Sequence, residues 1–211
     1  MTPPSNLSVN ELSYRALVWL TYRLAAIFAL GLPLVLLVWS SLRREACLVR
    51  LITLYWKVAS LMGISMLLLT DQRPLGYLTA VAAPVLMVMS VWFWVDLNEE
   101  LDDLPAWRPL PLTVRLWRWA LSGFSLISVA MTGSGLRCMR QGGTPDCLAW
   151  LEAPRGMHGV VEGVFDFVFG GQWSHGVAAF IGYVALLAYV AGLLQWLLVR
   201  LRRQGRVAGG F

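Results

Sequence analysis

The chain has 211 residues, 58% of them hydrophobic and 14% charged, with a formal net charge of +5. A soluble domain carries about 25% charged residues, and a nucleic-acid surface needs basic residues interleaved with stacking side chains. Here the basic residues flank long apolar runs, which argues against both and for an all-α, polytopic transmembrane helical bundle in contact with the lipid bilayer.

The opening MTPPSNLSVNEL has neither a basic n-region nor a small-residue cleavage site. It reads as a disordered tail, not a cleavable signal peptide, and the first span acts as an uncleaved anchor. Leu12–Arg23 is apolar but broken by Arg15 and Arg23, the pattern of an interfacial helix, so residues 1–23 form a tail and an approach segment. Residues 24–211 then make one membrane domain. Its spans lie near 24–42, 51–70, 75–95, 116–136 and 177–199, about five in all, or four if the second or last is not a full span.

Pro33 and Pro84 each remove a backbone donor and kink the first and third spans. Lys57 lies inside the second span, because a helix starting after it would leave only Val58–Thr70. Its ammonium either snorkels back to the interface or is a buried cation with a polar partner. Asp71–Pro74 is a tight turn that makes spans two and three an antiparallel hairpin. Counted from Gln72 at 1.5 Å per residue, Arg50 is about 33 Å back and Asp96 about 36 Å ahead, so the two share a depth.

Pro105, Pro109 and Pro111 interrupt the chain before the fourth span. The segment 137–173 is the largest extramembrane loop. Its Val160–Phe169 part, interrupted by Glu162 and Asp166, reads as a helix lying on the membrane surface. The fifth span runs into a basic tail, Arg200 to Arg206. No internal repeat is visible, so an inverted-repeat transporter gains no support.

Five spans put the first and third connections and the C-terminus on one side. Eleven basic residues lie there, among them Arg43, Arg44, Arg50, Lys57, Arg108, Arg115 and Arg118, against six on the other side. The positive-inside rule makes the richer side cytoplasmic and the N-terminus periplasmic or lumenal. Cysteine usage agrees. Cys138 and Cys147 are paired candidates in the non-cytoplasmic loop and Cys47 lies alone inside. A Cys138–Cys147 disulfide is expected; the alternative is two unpaired thiols.

The most informative stretch is VWFWVDLNEELDD, Val91–Asp103. On a helix continuing from the third span, Asp96, Glu99, Glu100 and Asp103 fall on one face and Leu97, Leu101 and Leu104 on another. Carboxylates at a helix C-terminus oppose the macrodipole, so something must compensate. An internal salt-bridge network with Arg43, Arg44, Arg50, Arg115 and Arg118 is the leading reading. A docking face for a partner protein and a divalent-cation site of hard oxygen ligands are the others.

His158, Glu162 and Asp166 could form a metal-binding edge or the polar face of an interfacial helix. His175 could hold a pigment or metal or be structural. No cofactor is expected beyond these alternatives, and no metal site is assigned. The eleven tryptophans read as an interfacial belt or a cofactor or lipid pocket. No Walker loop, nucleophile elbow, dinucleotide fingerprint or zincin motif is present.

With Tyr14–Trp19, Tyr22–Leu24, Tyr55–Leu61, Trp92–Asp103, Trp117–Trp119, Trp150–Pro154 and the Arg200–Arg206 tail in view, the chain resembles a family of uncharacterised integral membrane proteins of cyanobacteria. The resemblance covers most of the chain, and the acidic stretch is its most specific part. It implies a plasma or thylakoid membrane of a photosynthetic prokaryote and supplies no reaction. Lys57 stands where that family has arginine, and Met157–Trp173 diverges, which bears on any shared role of His158 or His175.

The function expected from these features is a non-enzymatic scaffold or assembly factor of a membrane complex, working through Asp96, Glu99, Glu100 and Asp103 with Arg50, Lys57 and Arg118. The alternative is a small transporter or channel lined by Lys57 and the proline kinks.

Overall fold

The computed structural model of the chain describes residues 9–105, 107–140, 144–170 and 173–204. The expectations for the N-terminal tail up to residue 8, for Gln141–Gly143 between the cysteines and for Arg206 lie outside the described residues. Those residues form α1 (Val9–Ala25), a π-helical turn (Ala26–Gly31), α2 (Leu32–Arg43), α3 (Ala46–Thr70), α4 (Pro74–Trp92) and α5 (Val95–Asp103). After them come α6 (Pro109–Gly135), a 3-10 turn (Leu136–Met139), α7 (Pro145–Phe169) and α8 (His175–Gln204). Five stretches are long and apolar enough to cross a membrane: Ser13–Arg43, Ala46–Thr70, Pro74–Trp92, Pro109–Met139 and His175–Val199.

Proline sets several helix starts. Pro74, Pro109 and Pro145 open α4, α6 and α7, each after an extended residue, as a ring that lacks an N–H and restricts its predecessor requires. The α3–α4 hairpin turns through Gln72, at φ 56°. It closes so tightly that a Cβ on Gly76 would lie 2.9 Å from the Leu69 nitrogen. Only glycine fits there.

α3 is the most buried of the spans and α8 the least. Around α3, one apolar core joins Leu36 of α2, Leu51 and Tyr55 of α3, Met87 and Val91 of α4, Leu97 and Leu101 of α5, and Val114, Trp117 and Leu121 of α6. A second cluster, at the opposite end of α3, holds Val18, Leu69, Tyr77, Trp150 and Leu151 around the Cys138–Cys147 disulfide, which ties the 3-10 turn to the start of α7.

Three elements differ from the sequence expectation. The approach segment is not a separate helix: the backbone stays helical from Val9 to Arg43. At 1.5 Å per residue such a rod exceeds the ~30 Å hydrocarbon core, so its first turns project beyond it. There Arg15 pairs with Glu152 of α7 at 2.8 Å. The surface helix expected at Val160–Phe169 begins at Pro145, its period hidden in the sequence by Pro154, Gly156, Gly159 and Gly163. The third span does not continue into the acidic stretch, because the chain breaks at Phe93 and Trp94.

Pro33 does more than bend the first span. The Leu32 N–H reaches back five residues to the Ile27 carbonyl, and Pro33 has no N–H to give, so the carbonyls of Phe28 and Ala29 lose their donors within the helix. Two side chains replace them. The Tyr55 hydroxyl donates to the Ala29 oxygen at 2.7 Å, and the Trp117 indole N–H to the Phe28 oxygen at 2.9 Å. The two rings meet edge to face with centroids 5.0 Å apart. In lipid, where no water can satisfy a broken helix, such replacement is obligatory.

Candidate functional site

The acidic stretch forms a helix of its own. Trp94, extended at ψ 113°, precedes Val95, and α5 starts there. The break reverses part of the electrostatic expectation. Asp96 now sits in the first turn, where the macrodipole favours a carboxylate. Asp102 and Asp103 remain at the unfavourable end.

Leu97 and Leu101 are fully buried against the bundle, which fixes which face of α5 points inward. Three arginines, Arg50, Arg115 and Arg118, then hold it, and a fourth, Arg108, braces the neighbouring loops. Arg50 of α3 forms an ion pair with Glu100. Arg108, just before α6, lies 3.8 Å from Glu45, beside the start of α3. Arg115 of α6 donates to the carbonyls of Leu101, Asp102 and Leu104 at 2.6, 3.2 and 3.1 Å. It caps the α5 C-terminus, supplying both donors for orphan carbonyls and a cation at the negative end of the dipole.

Arg118 is the most buried of the four, 4% exposed. Its guanidinium lies 4.0 Å from the Trp92 ring centroid and donates to the Asn98 side-chain oxygen. Asn98 in turn donates to the Trp92 carbonyl at 3.0 Å, and the Trp92 indole N–H to the Ser122 hydroxyl at 3.0 Å. Cation, aromatic ring and amide thus knot the break between α4 and α5 to α6. The planar guanidinium suits this double duty, stacking on one face and donating at the edge.

Of the residues singled out in the sequence, Arg50, Glu100 and Arg118 come together around α5. Arg43 and Arg44, expected to join the network, are exposed at the end of α2. Glu99, Asp102 and Asp103 are exposed too, with Asp102 4.0 Å from Arg115. α5 therefore has one face clamped to the bundle and one acidic face turned outward. Lys57 lies toward α8, its ammonium 6.0 Å from the Trp196 ring.

The tryptophans divide. Trp107 and Trp119 are well exposed, as a belt requires, whereas Trp94, Trp117, Trp150 and Trp173 are buried in the protein. Tyr55, Trp117 and Asn98 lie in stretches the sequence had marked, but their roles, as donors to the Ala29, Phe28 and Trp92 carbonyls, were not foreseen. A donor that reaches a broken helix from another span, 26 residues away for Tyr55 and 89 for Trp117, leaves no mark in periodicity, since the contact is tertiary. On the opposite end, His158 of α7 and His175 of α8 stack with centroids 4.2 Å apart, and His158 Nδ1 lies 3.8 Å from Glu162. Among the described residues no group of three or more His, Cys, Asp or Glu side chains is placed to hold a metal ion.

Fold and site together define a polytopic helical membrane bundle that displays a clamped acidic helix at one end. The chain belongs to a family of proteins of unknown function, DUF3177, whose profile matches residues 15–209. No curated protein and no solved structure matches it.

Proposed function

We propose that this protein is a non-enzymatic scaffold or assembly factor of a membrane complex, in the plasma or thylakoid membrane of a photosynthetic prokaryote. In this reading α5 faces the cytoplasm, the N-terminus faces the periplasm or lumen, and the acidic face docks a lysine- or arginine-rich juxtamembrane segment of a partner.

The observation that carries it is the division of labour on α5. Its inner face is fixed by Leu97 and Leu101 and by Arg50, Arg115 and Arg118, while Glu99, Asp102 and Asp103 are presented outward. A rigid helix carrying like charges, which repel at this spacing, gains from a basic partner that neutralises them. The excess of basic residues on the same side supports the cytoplasmic placement.

The test is co-purification in a gentle detergent. The variant Glu99→Gln/Asp103→Asn leaves the Arg50–Glu100 and Arg115–Asp102 pairs in place and should insert and unfold like the wild type while losing its partner. A wild-type protein that is always recovered alone contradicts the proposal.

A further inference from the structure

α8 leaves a groove of ≈ 430 Å³ between itself, α3 and α4. That volume falls in the range of about 300–1,000 Å³ typical of small-molecule sites. Leu54 and Val58 of α3, Leu86 and Met89 of α4, and Leu193 and Leu197 of α8 make its walls apolar. The two ends differ. At the deep end the Tyr189 hydroxyl donates to the Val58 carbonyl at 3.3 Å, tying α8 to α3. At the end nearer α5, Trp94 and Trp196 meet edge to face, centroids 5.3 Å apart, beside Phe93.

Lys57 is the one charged residue among those lining the groove. A helical side chain leans toward its helix N-terminus, which for α3 is the α5 end, and the ammonium does lie at the Trp196 ring there. An apolar slot is thus joined to a cation at the aromatic end, the level where lipid headgroups meet tryptophan. An amphiphile with an acidic head matches both features, its chain along the apolar walls and its head at the level of the Lys57 ammonium.

We infer that this groove binds one anionic glycerolipid from the leaflet on the α5 side, its acyl chain between α3, α4 and α8 and its acidic headgroup against Lys57. The site is separate from the α5 face and does not depend on the docking proposal.

The experiment is native mass spectrometry of the full chain after exchange into bilayer discs holding equal phosphatidylglycerol and phosphatidylcholine. The wild type retains one phosphatidylglycerol in preference to phosphatidylcholine. Lys57→Met lowers that preference about fivefold, the worth of one basic residue near an anionic surface, whereas Lys57→Arg keeps it. Leu193→Trp, which leaves the charge and fills the slot, loses bound lipid of both kinds. Equal retention of both lipids by the wild type overturns the inference. So does an unchanged preference in Lys57→Met, or a neutral pigment found in the lipid's place.

Discussion

Pro33 and the π turn before it leave two carbonyls of the first span open, and single atoms of Tyr55 and Trp117 satisfy them from neighbouring helices. Each is therefore more than an apolar filler. Tyr55→Phe keeps the ring and its packing on Trp117 but strands the Ala29 carbonyl in the bundle. It should lower resistance to unfolding in detergent by about 0.5–2 kcal/mol, the range of interhelical hydrogen bonds in membranes. A Tyr55→Phe/Trp117→Phe double-mutant cycle reads their coupling. If the two losses simply add, the joint is two independent contacts and not one unit. The proline was visible in the sequence as a kink. Its repair was not, because Tyr55 lies 26 residues from Ala29 and no local pattern announces a donor that arrives from another helix.

At the scale of elements, the spans were legible because hydropathy and length suffice for them, and so was the inner face of α5, since Leu97 and Leu101 repeat at four residues. The break at Phe93 and Trp94 was not. Nothing in an aromatic run marks where a helix ends when the stop is enforced by contacts, here Asn98 donating back to the Trp92 carbonyl and Arg118 lying on the Trp92 ring. These contacts make a specific claim about rigidity. Arg118→Ala should release α5 and speed limited proteolysis between residues 93 and 108. Arg118→Lys should rescue it only in part, because an ammonium cannot both stack and donate in the plane. Proteolysis of Arg118→Ala at the wild-type rate would show that Leu97 and Leu101 suffice. On the opposite end, opening the Cys138–Cys147 bridge by serine substitution should cost about 2–3 kcal/mol on the loop-entropy relation, read by thermal unfolding with and without reductant.

For the whole molecule, the structure sets two unlike ends on one bundle: a cap in which α7 is tied to the 3-10 turn by the disulfide and to α1 by the Arg15–Glu152 pair, and a basic end bearing the clamped acidic helix. The orientation proposed from charge asymmetry has a direct consequence for labelling. A thiol placed at exposed Arg155 (Arg155→Cys) should react with an impermeant maleimide in intact cells, and one at exposed Trp107 (Trp107→Cys) only after permeabilisation. The reverse pattern inverts the topology and with it the compartment of the partner. The central claim, that the outward face of α5 meets another protein, is tested most directly by site-specific photo-crosslinking in native membranes. A photoreactive residue in place of Glu99 or Asp103 should yield a discrete protein adduct that weakens at high salt, as screened charges require. The same residue in place of Leu126, exposed on α6, should yield none. Unadducted protein from positions 99 and 103, or the same adduct from position 126, contradicts the account.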